Sequence, residues 1–300
     1  MSDDGTLTWR QIYAEAVDRL AASGAESAEM DARRMLEEAT GAEGSEWLVV
    51  LDDKATERRL AKFDAMVARR QRGEPLQYVL GRWGFRHLDL MVDRRALIPR
   101  PETEQVADRA LHEVNRLIEA EGVTYADRLP VADLGTGSGA IGLALASEQP
   151  LIDVWATDIS SDALAVARAN LAGIGRAGTR VRLAEGSWFE ALPPDLLGQL
   201  GVIVSNPPYV AADDPLPREV AEWEPRLALV PGPTGREVIE HLIDTAPGWL
   251  RPAGALVVEL APTQAASAVE RARAAGYARA ESYADLTGRQ RVLVARVPPS

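Results

Sequence analysis

From residue 131 onward, short apolar segments typical of strands alternate with longer segments whose apolar residues recur at helical spacing. The strand-like segments are 130–134, 153–157, 180–184, 202–205 and 255–260, and the helix-like segments are 140–148, 162–172, 235–246 and 264–275. This alternation predicts βαβ units, and therefore an α/β domain with a mostly parallel sheet covered by helices on both faces. Two last strand-like segments, 280–283 and 291–297, flank a short turn with Gly288 and predict an antiparallel closing hairpin.

The first 70 or so residues lack this alternation and show helical patterns instead. Thr8 and Gln11 are spaced as in a capping box, and Gly24 comes where the first helix should end. The segments 27–41 and 56–73 repeat the pattern, so we expect a small helical bundle. Its last helix carries a basic run, which is either a solvated helix face or a contact for an acidic partner or RNA. The run consists of Arg58, Arg59, Lys62, Arg69, Arg70 and Arg72.

Glycine and proline residues interrupt short apolar and aromatic segments between 73 and 101, which predicts a β-hairpin linker. A chain of 300 residues has room for about two domains. We therefore predict an N-terminal helical domain over 1–74, a hairpin linker over 75–98 and an α/β domain over 99–300.

Composition narrows the classes of site that the chain can carry. The absence of cysteine excludes disulfides and thiolate metal sites, and with three scattered histidines we expect no metal. The net charge of -12 repels polyanions, so we expect no stable nucleic-acid binding. The uncharged stretch 196–212 is shorter than a membrane span, and the acidic N-terminus is unlike a secretory signal. These observations predict a cytoplasmic protein without membrane contact.

A glycine-rich turn follows the apolar strand that begins at Val131, within the sequence VADLGTGSG over 131–139. Glycines there let the backbone approach a ligand and open a helix N-terminus toward it. Asp158 ends the next strand about 20 residues later, where a carboxylate can accept hydrogen bonds from the ribose hydroxyls of an adenosine. Gly137, Gly139 and Gly142 also fit dinucleotide spacing, so this turn alone leaves an NAD enzyme possible.

The sequence SNPPY over 205–209 decides between these cofactors, because it follows the strand 202–204 and therefore lies at the same sheet edge. Alkylating a planar amide or amine nitrogen requires acceptors for both of its N–H groups. The Asn206 carboxamide oxygen and the Pro207 carbonyl are suitable acceptors, and the Tyr209 ring can pack on a planar substrate. Pro207 and Pro208 restrict the loop, and an aromatic face also favours a sulfonium methyl donor. Hydride transfer by an NAD enzyme does not require the groups of this loop.

With these motifs the chain resembles the release-factor glutamine methyltransferases, the PrmC/HemK family. The resemblance covers about 73–296 and rests on an ordered set of motifs. These are GEPLQYVLG (73–81), LIPRPETE (97–104), DLGTGSG (133–139), SWF (187–189), SNPPY (205–209), EPRLAL (224–229) and DLTGRQR (285–291).

The resemblance implies a Rossmann-like, seven-stranded class I methyltransferase domain, preceded by a helical domain that docks the substrate. It implies the cofactor S-adenosylmethionine, with S-adenosylhomocysteine as product, bound by Gly135, Thr136, Gly137, Ser138, Gly139, Asp158, Trp188 and Asn206. It also implies that the substrate glutamine is held by Asn206, Pro207, Pro208 and Tyr209, of which Asn206 and Tyr209 are catalytic.

The expected reaction is methyl transfer to the side-chain nitrogen (N5) of the glutamine in the Gly-Gly-Gln motif of peptide-chain release factors, which modulates translation termination. Methylation of a ribosomal-protein glutamine would use the same site. A DNA adenine N6-methyltransferase could also use the Asn-Pro-Pro-Tyr loop, but it would need phosphate contacts and a base-reading module. A cofactor-binding module without catalysis would have no use for Asn206 and Tyr209.

Two details of the family pattern stay open at the level of sequence. Ala261 stands where the family usually has glycine after the acidic strand end at Glu259, so the conformation of this loop is uncertain. Arg100 and Glu104 either shape the cofactor end of the cleft or fix the linker, and the sequence favours neither alternative.

Overall fold

The structure is a computed structural model that describes residues 7–299 and divides into two compact units. The first unit runs to Arg82 and includes Pro217–Trp223, and the second consists of Trp83–Leu216 with Glu224–Ser300. Residues 1–6, within the predicted first domain and the acidic N-terminus, and residue 300 lie outside the described residues. Within the described range, no helix is long and apolar enough to cross a membrane.

The first unit is a helical bundle, as the N-terminal patterns predict. Its helices are α1 (Trp9–Ala22), α2 (Ala28–Thr40), α3 (Glu46–Val50), α4 (Glu57–Gln71) and α5 (Leu76–Leu80). Thr8 caps α1 and forms the predicted capping box with Gln11, and Gly41 ends α2 in the left-handed conformation. Trp9 and Phe63 meet edge to face at 5.7 Å in the bundle core. Leu76 and Val79 of α5 also pack into this core, so residues predicted as linker belong to the bundle.

Part of the basic run has a structural role inside this unit. Arg70 is partly buried and pairs with Asp31 and Glu219, and Arg69 pairs with Glu74. Lys62 pairs with Glu38, whereas Arg58 and Arg59 are exposed. The charges of the run therefore fall into two groups, one that stabilises the bundle and one that faces solvent.

The predicted hairpin is formed by β1 (Arg82–Phe85) and β2 (Leu88–Met91), and from Trp83 onward it belongs to the second unit. It continues into α6 (Pro101–Glu121), a helix of 21 residues that the sequence analysis missed. Its signals are Pro101 at the first helical position, acidic residues in the first turn and Gly122 at the end. The sequence analysis placed this segment in the α/β domain but assigned no element to it, because the strand–helix alternation was traced only from residue 131 onward.

The remaining elements build the predicted α/β fold, with strand positions within a few residues of those predicted. They are β3 (Leu129–Leu134), α7 (Ala140–Glu148), β4 (Ile152–Asp158), α8 (Ser161–Gly173), β5 (Val181–Glu185), β6 (Leu200–Ser205), α9 (Arg218–Trp223), α10 (Glu237–Thr245), β7 (Leu250–Glu259), α11 (Ala265–Ala274), β8 (Arg279–Ala284) and β9 (Gln290–Arg296). The α9 helix belongs to the first unit.

Seven strands form one sheet in the order β5-β4-β3-β6-β7-β9-β8. The strands β3 to β7 are parallel, and β9 runs antiparallel between β7 and β8, as the closing hairpin predicts. The chain starts in the middle at β3, builds outward through β4 and β5, and then returns to the other side of β3 with β6. The switch point lies between β3 and β6, and in open α/β sheets ligands bind outside the carboxyl ends of the strands at such a point.

Candidate active site

A cavity of about 330 Å³ opens at the carboxyl ends of β3, β4 and β6. The predicted site residues that line it are Gly135, Gly137, Asp158, Trp188, Asn206 and Pro208. The glycine turn and the Asn-Pro-Pro-Tyr loop therefore share one cavity. Ser205, at the end of β6, strengthens this arrangement because its Oγ donates a hydrogen bond of 2.7 Å to the Leu134 carbonyl at the end of β3.

The glycine turn owes its shape to its own backbone. Gly135, Gly137 and Gly139 have φ values of 71°, 58° and 87°, in the left-handed region that favours glycine. The amides of Gly135 and Thr136 both donate to the Thr157 carbonyl at 2.9 Å, which ties the turn to β4. At Gly135 a Cβ atom would also lie 3.1 Å from the Trp188 ring, so this glycine leaves space for an aromatic wall of the cavity.

Trp188 itself has φ of 47°, which is unusual for a bulky residue. Such a conformation costs about 1–3 kcal/mol and persists only where the surroundings enforce it. Strain of this kind concentrates at ligand sites, and Trp188 lies in the cavity wall.

Asp158 lies at the end of β4 with its carboxylate already engaged by the turn. Its Oδ2 accepts from the Gly137 amide at 2.8 Å, and its Oδ1 accepts from the Ser160 amide at 2.9 Å. Burial raises the pKa of Asp158 above its usual range, although these backbone amides oppose the shift. Each carboxylate oxygen retains acceptor capacity for a ligand hydroxyl.

Asp133, at the base of the turn, is fully buried. Its Oδ2 accepts from Thr136 Oγ1 at 2.6 Å and from the Gly142 amide at 2.8 Å, whereas its Oδ1 has no hydrogen-bond partner. Burial raises the pKa of Asp133 to about 6, and the nearby Asp158 acts in the same direction. A Cβ atom at Gly142 would come within 2.9 Å of Oδ2, so glycine allows this contact.

The Asn-Pro-Pro-Tyr loop is held by side chains from other elements. Asn206 Nδ2 donates to Thr103 Oγ1 of α6 at 3.1 Å, and Thr103 Oγ1 donates to Glu259 Oε2 at the end of β7 at 2.7 Å. Tyr209 Oη donates to the other Glu259 oxygen at 3.2 Å. Burial, together with the negative charge of Glu259, raises the pKa of Tyr209, which is therefore a neutral phenol at physiological pH.

Gln264 fixes the end of the same loop. Its Nε2 donates to the carbonyls of Tyr209 and Gly235, each at 3.0 Å, and its Oε1 accepts from the Ala261 amide at 3.0 Å. A Cβ atom at Gly235, where φ is 74°, would lie 2.5 Å from the Tyr209 carbonyl, so this close approach requires glycine.

Five predicted site residues are not among those that line the cavity. Thr136 supports Asp133, Pro207 is buried, and the hydroxyl of Tyr209 faces Glu259. The other two are Ser138 and Gly139. Their roles in binding stay predictions, as do those of the six residues in the cavity wall.

The two open details of the family pattern have structural answers. Ala261 adopts φ of -70° and ψ of 146°, a conformation that needs no glycine, and the loop keeps its shape through Gln264. Glu104 accepts from the Arg86 amide at the hairpin turn, and Arg100 forms an ion pair with the buried Glu224. Both contacts fix the segments around the cavity.

The sequence analysis missed three contributors to this region. Thr103 and most of the segment 225–231 stood in quoted motifs without a role, and Arg95 in the cavity wall was not singled out. Glu259 could have been found from the sequence, because it ends the strand β7 and the carboxyl ends of parallel strands lie at a common edge of the sheet.

Two family models match the chain: the PrmC N-terminal domain over residues 11–81 and the methyltransferase small domain over residues 118–220. Among curated proteins, a release factor glutamine methyltransferase of Cereibacter sphaeroides is 39% identical, covering 94% of this chain and 96% of the relative. One of Bifidobacterium longum is 37% identical, covering 95% and 98%. The chain belongs to the release factor glutamine methyltransferase family.

Solved structures of low identity support the fold of this family member. The catalytic domain of human Mettl16 in complex with a MAT2A RNA hairpin has a TM-score of 0.53 at 14% identity, covering 82% of this chain and 84% of that one. The N-terminal domain of human METTL16 in complex with S-adenosylhomocysteine has a TM-score of 0.50 at 14% identity, covering 80% and 82%. They confirm the predicted class I methyltransferase fold, with its seven-stranded sheet, and carry no argument about substrate.

Proposed function

We propose that this protein transfers a methyl group from S-adenosylmethionine to the side-chain nitrogen (N5) of the glutamine in the Gly-Gly-Gln motif of peptide-chain release factors. The observation that carries the proposal is the shared cavity of the glycine turn and the Asn-Pro-Pro-Tyr loop, in which Asn206 donates its NH2 group to Thr103. The Asn206 oxygen is then available to an acceptor amide. Family membership identifies glutamine as that amide.

The cavity residues fit an adenosine cofactor. Asp158 offers carboxylate oxygens at the end of β4, the turn at Gly135 and Gly137 leaves backbone exposed, and Trp188 provides an aromatic face. Bound S-adenosylmethionine supplies an electrophilic methyl group, and S-adenosylhomocysteine remains after transfer. The described residues contain no cluster of side chains that could hold a metal ion, and the proposed chemistry requires none.

The loop residues would prepare the glutamine amide for attack. Its nitrogen lone pair is delocalised into the carbonyl, so reaction requires the two N–H groups to be held and the nitrogen to face the methyl group. The Asn206 oxygen and the Pro207 carbonyl would accept the two N–H groups, while Pro208 and the buried Pro207 restrict the loop. Methyl transfer would form the N–C bond as the sulfonium S–C bond breaks; the sulfur would keep the electron pair of that bond, and the amide nitrogen would release one proton to water.

Replacement of Asn206 tests this function directly. Asn206→Ala should lower the single-turnover rate of methyl transfer to a release factor by about 100-fold or more, comparable to loss of one preorganised electrostatic partner. The matched control is Asn115→Ala, at an exposed position of α6 where the side chain contacts Gln149. A near wild-type rate in Asn206→Ala would refute the assigned role.

The substrate class needs a separate experiment. We expect label from S-adenosylmethionine to appear on release factor when release factor, ribosomes and DNA are offered together. Label on a ribosomal protein would identify the alternative glutamine methyltransferase, and label on DNA an adenine methyltransferase. Tight binding of NADH by calorimetry would contradict the cofactor assignment.

We further propose that the helical unit docks the release factor and that the protein works in the cytoplasm, where termination takes place. Leu48 and Val49 of α3 are 53% and 74% exposed, which makes them the first side chains to test. Contacts remote from the reacting nitrogen help to position a substrate. The double variant Leu48→Ser/Val49→Ser should therefore lower kcat/KM for intact release factor and leave a short Gly-Gly-Gln peptide unaffected. An equal loss on both substrates would contradict docking.

A further inference from the structure

We infer that Thr103 and Glu259 are positioning residues that determine which end of the Asn206 carboxamide faces the substrate. The inference rests on the proposed function, because it concerns the side chain that receives the glutamine amide. A carboxamide has an acceptor end and a donor end of nearly equal shape. Only the acceptor end can hold an N–H group of glutamine, so its direction matters for catalysis.

The direction follows from counting protons along the hydrogen bonds. The Glu259 carboxylate can only accept, and the Thr103 hydroxyl has a single proton, which it donates to Glu259 Oε2. The Thr103 oxygen must then accept from its other neighbour, and that neighbour is Asn206 at 3.1 Å. The NH2 end of Asn206 is therefore directed at Thr103. No hydrogen bond from the described residues is made to the Asn206 oxygen.

A second hydrogen bond joins the other end of the loop to the same carboxylate. Tyr209 Oη donates to Glu259 Oε1, so both oxygens of Glu259 accept from a hydroxyl group. Asn206 and Tyr209 are thus tied to one group that lies outside their own loop. Thr103 is only 3% exposed and Glu259 only 1%, so water does not compete freely for these bonds.

The charges around Glu259 act in both directions. Burial raises its pKa, and Glu102 of α6 adds to this shift. The hydroxyls of Thr103 and Tyr209 and the guanidinium of Arg291 on β9 lower it. Arg291 Nε is buried without a hydrogen-bond partner, and Arg100 near Tyr209 adds a further positive charge to this region. These donors and the Arg291 cation oppose the rise in the pKa of Glu259 and stabilise the ionised, accepting form, which is the form to which the proton count applies.

The first test removes the hydroxyl group without changing the shape of the side chain. Thr103→Val should lower the single-turnover rate by about 10- to 100-fold, as expected for a misplaced reacting group, with unchanged affinity for S-adenosylmethionine. Thr103→Ser restores the hydroxyl and should restore most of the rate. The matched control is Thr40→Val, which removes a buried hydroxyl from α2 that donates to the Leu36 carbonyl at 2.7 Å.

The second test reads the direction of the carboxamide. A release factor with glutamate in place of the motif glutamine presents oxygens to the Asn206 oxygen, so the wild-type protein should bind it more weakly than the normal factor in the presence of S-adenosylhomocysteine. In Thr103→Val the carboxamide is free to turn its NH2 end toward the glutamate. The preference for glutamine should therefore shrink, an effect that general loss of stability would not produce.

A third variant tests the same hydrogen bonds independently, so the inference stays testable if Thr103→Val does not fold. Glu259→Gln retains the shape but leaves one accepting oxygen for two hydroxyl groups, so it should also slow transfer. Combined with Thr103→Val it should add little, because both changes break the same chain of bonds. A wild-type rate in either single variant, failure of Thr103→Ser to restore the rate, or an unchanged preference for glutamine would overturn the inference. A wild-type protein that does not methylate release factors would instead refute the proposed function.

Discussion

The glycine turn after β3 and the Asn-Pro-Pro-Tyr loop after β6 line one cavity, yet they are held in place by different means. The turn depends on its own backbone conformation and on the neighbouring strand, through the amides of Gly135 and Thr136 and the carbonyl of Thr157. The loop depends on side chains that arrive from α6, β7 and the segment before α11: Thr103, Glu259 and Gln264.

This difference separates two tasks of the site. Changes in the turn should act on cofactor affinity, because we propose that its backbone and Asp158, which line the cavity, hold the adenosine part of the cofactor. Changes around the loop should act on the rate of transfer, because its supports determine the direction of Asn206 and Tyr209. A substitution in one region should therefore leave the task of the other region unchanged.

The largest effect is expected from Asp158→Ala. Two charge-assisted hydrogen bonds to ribose hydroxyls are worth about 1.5–3 kcal/mol each, so affinity for S-adenosylmethionine should fall by about 100-fold or more. Calorimetry measures this loss, with Asp153→Ala on the same strand as control. Undiminished affinity in Asp158→Ala would contradict the proposed role of the turn in cofactor binding, and with it the division of tasks between turn and loop.

A pH effect is expected at Asp133, beneath the turn. Because its pKa is raised to about 6 in the folded protein, the folded state binds a proton more readily than the unfolded state. The resulting stability is fully present below the unfolded pKa of about 3.9 and is lost as pH rises through about 6. The shift of about two units corresponds to about 3 kcal/mol.

Asp133→Asn cannot ionise, so its stability should rise relative to wild type by up to about 3 kcal/mol between about pH 4 and pH 7. Urea unfolding of both proteins without cofactor measures the difference in unfolding free energy at each pH. A cost of burying the carboxamide that is the same at every pH does not change how the difference in unfolding free energy varies with pH. A difference independent of pH would show that Asp133 is not the titrating group.

A smaller effect is expected from Gly135→Ala. The left-handed conformation costs an L residue about 1–2 kcal/mol, and the new Cβ would press on the Trp188 ring. Cofactor affinity should fall by about tenfold, while transfer at saturating cofactor stays close to wild type. Gly173→Ala is the control, since its Cβ would meet nothing within 4 Å and its φ is ordinary. A reduced rate at saturating cofactor would mean that the turn and the loop are not separable.

The same difference explains what the sequence could predict. The strands, the glycine turn and the loop are local patterns, and the parallel orientation of β3 and β6 follows from βαβ topology, so their shared edge was predictable. Helix α6 was missed because the strand–helix alternation was traced only from residue 131 onward, and with the helix the role of Thr103 was missed. The meeting of Thr103, Glu259 and Asn206 joins residues 103, 206 and 259 through packing, which no local pattern encodes.

The smallest effect is expected from Gln264→Leu, at the far end of the loop. Gln264 is buried, and its Nε2 donates to the carbonyls of Tyr209 and Gly235, so leucine would leave two carbonyls without their donor. Each lost hydrogen bond is worth about 0.5–1.5 kcal/mol, and the loop can relax in part, so we expect a net cost of about 1 kcal/mol and a loss of about fivefold in single-turnover rate. Affinity for S-adenosylmethionine should not change.

Gln199→Leu, at an exposed position, is the matched control for this substitution. Gln264→Glu sharpens the test, because it keeps an acceptor for the Ala261 amide but directs a carboxylate oxygen at two carbonyls. It should therefore be slower than Gln264→Leu although it is closer in shape to glutamine. If both variants instead lost cofactor affinity at an unchanged rate, Gln264 would support the cofactor side of the cavity. The assignment of cofactor binding to the turn and of substrate positioning to the loop and its supports would then be wrong at Gln264.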